Sequence, residues 1–491
     1  MMIAKERQRA RHHRFVDCEQ LPLHLALRQR TSRPSYTTSH KYAVGRGSDA
    51  MVFQQRSIFF VDHISIFLFY YSLAKVIIFK QKKASMTFFF AFFLSVSGFL
   101  FTFATINTTS NMNLNLTSTI NFDHIRNRAL RKRVVDLCLA TGKPVLKLST
   151  RDYIEHDMSD LIDQFGSAGL VNIEVFNILQ HTITGWPGGK PNADDSTRPE
   201  RALPYPKRVV VFSPHPDDDV ISMGGTIRRL VQQKHDVHIA YETSGNIAVG
   251  DEEVTRYMHF INGFNKLFAD GADEVISRKY KEIKDFMKLK QVGDLDSRDV
   301  LTIKGLIRRG EARNACAYNH IPKSRIHFLD LPFYESGRIE KNPLCEADVR
   351  IVQRLLADVR PHQIFVAADL ADPHGTHRVC TDAVLAAIDE ERRIGANWLS
   401  DCRVWMYRGA WSEWEIENIE MCVPMSPEEL REKRNAILRH QSQMESAPFL
   451  GNDERLFWQR AEDRNKATAR LYDDLGLACY EAMEAFAEYR I

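Results

Sequence analysis

The sequence has few of the features that would mark a disulfide-linked, nucleic-acid-binding or repeat protein. Its eight cysteines are scattered through 491 residues without a CxxC pair, a pattern typical of reduced thiols in a cytosolic enzyme. Lys and Arg total 66 and Asp and Glu 63, a net charge of +3, so no nucleic-acid partner is predicted. No internal repeat or low-complexity tract follows Met112. A chain of this length has room for two to three domains with a substantial core.

The N-terminal region differs in composition from the rest. Residues 1–57 are basic and polar without a clear period, and we expect them to be disordered. Two Phe-rich segments follow, 58–79 and 87–106, of which the second has the length of one bilayer span and lies after a group of lysines. Two interpretations stay open. The segments anchor the protein in a membrane, or residues 1–111 are a non-native extension of a cytoplasmic protein.

The most informative stretch is a short apolar run that ends in a histidine and three acids. Residues 209–212 predict a strand buried on both faces, as in a parallel sheet, and SPHPDDD (213–219) follows. Polar residues just past such a strand lie where open α/β sheets bind ligands. A histidine and a carboxylate three positions apart suit a metal ion, and the carboxylate between them is free to act as a base. The alternative is a helix N-cap formed by Asp217 or Asp218.

A second apolar run leads into a similar cluster. Residues 363–368 predict another buried strand, and DLADPHGTH (369–377) follows. His374 and His377 are three apart, so they share a face if a helix begins there. Each histidine taken alone is more typical of a helix-cap or surface position than of a metal ligand. Two parallel strands of one sheet would bring both clusters to the same edge, giving two histidines, one aspartate and one position for water, the layout of a catalytic zinc site.

These two motifs resemble those of the PIG-L/LmbE family of metal-dependent N-deacetylases, which act on N-acetylglucosamine-containing substrates and related amides. The resemblance rests on PHPDD (214–218) and DPHGTH (372–377) and covers about residues 205–450. A late segment, KRNAI (433–437), also matches. The resemblance implies an α/β fold of the Rossmann-like three-layer type with a mostly parallel sheet. We expect a small helical segment and the N-terminal extension to precede it.

The resemblance also implies a role for each residue of the motifs. His215, Asp218 and His377 would bind Zn²⁺, with Fe²⁺ as the alternative. Asp217 would be the general base for a metal-bound water, and His374 would stabilise the oxyanion or protonate the leaving amine. The expected reaction is hydrolysis of the N-acetyl group of an N-acetylglucosamine-type sugar or conjugate, a small-molecule substrate.

The sequence says less about the residues that depart from the family pattern and about the residues that contact the substrate. The family usually has Glu where Asp219 stands here. Some members also have a tyrosine near the second motif, which is not evident in this chain, where Asp372 precedes Pro373. The identity of any extra oxyanion donor therefore stays open. Asn246, Arg256 and Arg308 are the predicted substrate-binding residues, because amide and guanidinium groups suit sugar hydroxyls or a phosphate. The alternative for each arginine is a solvated position on a helix.

From residue 112 onward the sequence predicts a globular organisation. The predicted boundaries are 112–190 for a small α-rich connecting region, 191–206 for a linker, 207–425 for the deacetylase-like domain and 426–491 for a C-terminal helical region packed on it. Within the connecting region, residues 143–148 predict a short strand. In the deacetylase-like domain a βα rhythm predicts strands at 208–213, 236–241, 325–329, 363–368 and 402–407.

The connecting region resembles the segment that follows a glucosamine-6-phosphate deaminase-like domain in bacterial fusion proteins. Between Met1 and Met112 we find no sheet pattern of that domain, so a deaminase label for this chain would come from the fused domain. A deaminase-type enzyme of amino-sugar phosphates and a catalytically silent sugar-binding module are the alternative functions. The sequence is compatible with a homo-oligomer.

Overall fold

The computed structural model describes residues 122–192, 203–268, 274–291, 293–335, 341–368, 375–409, 412–444 and 455–490. They lie within one compact unit, Asn115–Ile491. The expected extension 1–111, with both of its Phe-rich segments, and His374 lie outside the described residues. Within the ranges given above, no helix is both long and apolar enough to cross a membrane.

Within the described residues, four α-helices precede the first strand, and helices are interspersed with strands after it. The N-terminal helices are α1 (Phe122–Thr141), α2 (Thr150–Glu155), α3 (Ser159–Phe165) and α4 (Ala168–Thr182). The later helices are α5 (Asp218–Gln232), α6 (Asp251–Phe268), α7 (Glu274–Leu289), α8 (Arg298–Tyr318), α9 (Glu346–Val359), α10 (Thr376–Arg393), α11 (Pro427–Ile437) and α12 (Phe457–Asp474). The strands are β1 (Arg208–Ser213), β2 (Asp236–Tyr241), β3 (Ile326–Phe328), β4 (Gln363–Ala367), β5 (Arg403–Tyr407), β6 (Met421–Met425) and β7 (Ala482–Tyr489).

The seven strands form one mixed sheet in the order β3-β2-β1-β4-β5-β7-β6. Strands β1 to β5 are parallel, and β7 runs antiparallel to both β5 and β6. Side chains of β1 alternate between two cores: Val209 and Val211 enter one, Val210 and Phe212 the other. The sheet is therefore covered on both faces, which confirms the predicted three-layer α/β fold.

The position of β1 in the sheet determines where a ligand site can form. Val209 is paired with Val237 of β2 on one side and with Gln363 of β4 on the other. From β1 the chain adds β2 and β3 on one side of the sheet and then crosses to the other side of β1 to form β4. The direction in which strands are added therefore reverses between β1 and β4. In open α/β sheets, ligands bind in the crevice beyond the carboxyl ends of the strands at such a reversal.

Two predicted elements differ from the structure. Residues 426–491 were expected to be helical, but Ala482–Tyr489 is a strand, β7, inserted between β5 and β6. Its Ala, Met and Glu residues favour helices, and pairing on both edges overrides that preference. The strand predicted at 143–148 is instead a single 3-10 turn, Val145–Lys147, which begins after Pro144.

The predicted connecting region packs on the C-terminal part of the chain. Val134 of α1 and Val171 of α4 belong to the same core cluster as Tyr472 of α12 and Met483 of β7. The Thr184 N–H also donates to the Cys422 carbonyl at 2.8 Å. The seven cysteines that the structure describes are all free thiols, and Cys18 is not among them. No disulfide is therefore needed to hold these helices to the sheet.

Two buried histidines at the start of β1 predict a loss of stability in mild acid. Nδ1 of His235 accepts the Lys207 N–H, and Nδ1 of His362 accepts the Arg208 N–H, each at 3.0 Å. Burial lowers the pKa of each imidazole to about 4. Since the unfolded chain takes up these protons near pH 6.5, the stability from the neutral rings is complete above that pH. It is lost progressively as the pH falls from there toward 4.

We therefore expect the free energy of unfolding in urea to fall between pH 7 and pH 5, by on the order of 1 kcal/mol for each histidine. A His235→Asn/His362→Asn variant keeps an acceptor at each position but cannot titrate there. Its free energy of unfolding should fall less over the same range. An equal decline in both proteins would show that other groups cause the acid sensitivity.

Candidate metal and catalytic site

Asp219 fixes the turn between β1 and α5. Its N–H donates to Ser213 Oγ at 3.0 Å, and its Oδ2 accepts the Tyr241 hydroxyl at 3.2 Å. Burial raises the pKa of the Asp219 carboxyl to about 7. Asp219 therefore ties the end of β1 to the start of α5 and to β2.

His215, Asp218 and His377 come together beyond the ends of β1 and β4. His215 Nδ1 and His377 Nε2 each lie 3.2 Å from Asp218 Oδ2, and the two nitrogen atoms are 3.3 Å apart. Asp218 opens α5, and His377 lies in the first turn of α10 after Gly375, whose φ of 68° is left-handed. Within the residues described, this is the one group of His, Cys, Asp or Glu side chains that could hold a metal ion.

The geometry of this triangle fits a tetrahedral metal ion. Ligand atoms at the usual zinc distances of about 2.0–2.1 Å lie about 3.3–3.4 Å apart on a tetrahedron. The three ligand atoms show separations of 3.2 to 3.3 Å. Burial raises the pKa of Asp218, but the two histidines outweigh it and hold that pKa well below its ordinary value. Asp218 is thus held as the anion that a cation requires.

Asp217 lies beside the triangle and is held by an arginine from α8. Arg308 Nη2 donates to Asp217 Oδ1 at 2.9 Å and to the Pro216 carbonyl at 3.3 Å. Burial raises the pKa of Asp217, and the Arg308 charge opposes that rise. Gly245, at φ 60°, makes room for this contact, since a Cβ there would lie 2.9 Å from Pro216 Cδ. The arrangement presents a buried carboxylate of raised basicity next to the candidate ligands.

The predicted substrate-binding residues have different environments. Asn246 is buried just after β2, and Arg308 is fully buried under the site, so the alternative of a solvated arginine is wrong for Arg308. Arg256 fits that alternative: its side chain is 57% exposed on α6, and its ion pair is with Glu253 of the same helix.

Three further residues near the site had no role assigned to them from the sequence. Glu242 directly follows β2, is 1% exposed, and has its pKa raised to about 8 by burial, with His377 opposing the rise. The Tyr334 ring packs edge-on against His215 with centroids 5.9 Å apart. His440 is fully buried, and burial and the nearby Arg308 charge lower its pKa to about 3. Glu242 had a signal in the sequence, its place immediately after a predicted strand, and His440 lies just after the late segment that resembles the family.

Comparison with known proteins reveals a relative of high sequence identity. A protein of Bacteroides thetaiotaomicron named as glucosamine-6-phosphate deaminase-like is 74% identical over 362 residues. The match covers 74% of this chain and 55% of the relative. The chain therefore spans little more than half the length of that protein.

Solved structures that match have lower identity. An N,N'-diacetylchitobiose deacetylase from Pyrococcus horikoshii is 18% identical, with a TM-score of 0.38, over 58% of this chain and 84% of the other. A deacetylase from the teicoplanin biosynthesis pathway is 17% identical, with a TM-score of 0.35, over 57% and 97%. A 4-carboxy-2-hydroxymuconate hydratase from Pseudomonas putida KT2440 is 15% identical, with a TM-score of 0.37, over 58% and 98%.

The family comparison covers the strands and loops that form the site. The model of the PIG-L family, described as GlcNAc-PI de-N-acetylase, matches residues 210–388. This range begins within β1, ends within α10 and includes His215, Asp218 and His377. Residues 210–388 of this chain form a PIG-L family domain.

Proposed function

We propose that this protein hydrolyses the N-acetyl group of an N-acetylglucosamine-type sugar or conjugate in a reaction that depends on Zn²⁺. The observation that carries the proposal is the spacing of His215, Asp218 and His377, with the Asp217 carboxylate beside them. The PIG-L family match over the same residues supports it.

The chain supplies each group that amide hydrolysis requires. A bound Zn²⁺ would lower the pKa of water to about 7 and polarise the amide carbonyl. His215, Asp218 and His377 would hold the ion, and Asp217 would accept a proton from the attacking water. Arg308 would keep Asp217 oriented through the bond to its Oδ1. His374, three residues before His377 in the sequence, is proposed to stabilise the oxyanion or to protonate the leaving amine.

The buried polar groups beside Asp217 favour a substrate that carries hydroxyls. Arg308 Nε and Nη1 and Asn246 Oδ1 are buried, and no hydrogen-bond partner for them is found among the described residues. Buried polar atoms are rarely left unpaired, and hydroxyls can both donate and accept. We therefore assign Asn246 and Arg308 to the sugar. The exposed Arg256 has no comparable arrangement to support such a role.

An assay of both products tests the proposal. We expect the full chain, supplied with N-acetylglucosamine derivatives, to release acetate, and 1,10-phenanthroline to abolish the release until Zn²⁺ is added back. The name of the Bacteroides relative favours a second candidate, an amino-sugar phosphate deaminase. Ammonia release from glucosamine 6-phosphate that persists in the chelator, without acetate release, would establish that candidate and refute the first.

A further inference from the structure

Helix α6 carries a row of apolar side chains that face away from the protein. Their exposed fractions range from 36% to 76%, whereas exposed apolar side chains are ordinarily scattered singly over a protein surface. We call this row the α6 stripe. Its members are Tyr257, Phe260, Ile261, Phe264, Leu267 and Phe268.

The α6 stripe is distinct from the face by which α6 packs on its own chain. That inner face uses Val254 and Met258, which form a small core with Ile283 of α7 and Val300 of α8. The helix is therefore apolar on two adjoining faces, and packing among the described residues covers one of them. Among those residues, the second face takes no part in the core that holds α6 to α7 and α8.

The spacing of the stripe is that of a helix-pairing seam. Its residues follow one another at steps of three, one, three, three and one, which is a heptad pattern of a, d and e positions repeated twice. The aromatic rings already form a continuous row: Phe260 and Phe264 have centroids 6.2 Å apart, and Phe264 and Phe268 4.8 Å. Such a seam is suited to another helix with the same pattern.

The size of the stripe matches one side of a stable interface. With about 150–250 Å² for each large side chain, the exposed fractions add up to roughly 700 Å². A standard interface buries about 800 Å² on each partner, while the largest apolar patch of a typical monomer is about 300–600 Å². The stripe thus provides most of the area that a dimer contact requires.

We propose that α6 pairs with α6 of a second copy of this chain, antiparallel across a twofold axis near Phe264. A twofold axis places the same stripe on both partners, so each apolar row covers the other. Antiparallel helices also place opposite ends of their dipoles side by side.

Analytical ultracentrifugation of the full chain tests the dimer. We expect a species of about twice 56.6 kDa at micromolar concentration. Phe260→Glu/Phe264→Glu should raise the dimer dissociation constant by more than about 100-fold, because it buries charges in the seam. Leu170→Glu is the matched control: Leu170 on α4 is 53% exposed, against 55% for Phe264, and its replacement should leave the dimer intact.

Three results would overturn the proposal. In the first, the wild type is a monomer over the whole concentration range. In the second, the double variant has an unchanged far-UV circular dichroism spectrum and remains as dimeric as the wild type. In the third, Leu170→Glu dissociates the dimer as much as the double variant does. The second result would place the dimer contact outside the α6 stripe, for example in residues 58–106, which are the same in the wild type and the double variant. A monomeric wild type that sediments with phosphatidylcholine vesicles, where the double variant does not, would assign the stripe to a lipid surface instead.

Discussion

Replacing Asp217 by Asn should remove most of the turnover and leave the metal content unchanged. The amide has nearly the same shape as the carboxylate but cannot accept a proton from the attacking water. Loss of a positioned general base costs about 10²- to 10⁴-fold in rate. The variant keeps an oxygen for the Arg308 N–H that now binds Asp217 Oδ1. We expect kcat for acetate release to fall within that range, while metal analysis shows one equivalent bound.

A variant of a candidate metal ligand separates the role of general base from the role of metal ligand. His377→Ala removes one of the three converging ligand atoms, so its metal content should fall along with its activity. Wild-type activity in Asp217→Asn would refute the base assignment. Loss of metal in that variant, comparable to the loss in His377→Ala, would instead make Asp217 a ligand.

The environment of Asp217 explains why an arginine is buried beneath the site. Burial raises the pKa of this carboxyl and so favours its protonated form, and a protonated carboxyl cannot act as a base. The Arg308 charge opposes that effect at a distance of 2.9 Å. The pKa of Asp217 is raised, though by less than burial alone would cause, which makes this carboxylate a better proton acceptor than an exposed one.

Much of the sheet and the candidate ligand group was predictable because both depend on local patterns. Apolar runs of five or six residues specify buried parallel strands, and the residues that follow them meet at one edge. The prediction of β1 and β4 as neighbouring parallel strands therefore also predicted that His215 and His377 lie close together. The same logic applied one strand over would have identified Glu242, which directly follows β2.

Contacts between distant segments were not predictable in this way. Arg308 lies 91 residues from Asp217, and its contact depends on how α8 is rotated against the sheet. The α8 sequence alone favours a solvated arginine over a buried one. Strand β7 was missed because its residues favour helices and its partners β5 and β6 lie more than 50 residues earlier. Long-range pairing decided its structure.

The buried ion pair that holds β7 in place should be one of the most sensitive points for stability. Glu484 and Lys433 are both fully buried, and Lys433 Nζ lies 2.7 Å from Glu484 Oε1. Helix α5 is kinked at Met223, and Glu484 accepts the N–H groups of Gly225 and Thr226 just after the kink, at 3.0 and 2.7 Å. Glu484 therefore joins β7, α11 and the helix that begins at Asp218.

We expect Glu484→Gln to lower the free energy of unfolding by about 3–5 kcal/mol, because it leaves the Lys433 charge buried without its partner. Adding Lys433→Met should restore part of that loss, since no charge is then left unpaired. Glu481→Gln is the matched control: its ion pair with Lys466 is on the surface, so its removal should cost less than about 1 kcal/mol. Urea unfolding at pH 7 measures all four proteins. A loss in Glu484→Gln as small as that in Glu481→Gln would mean that the buried pair contributes no more than a surface one.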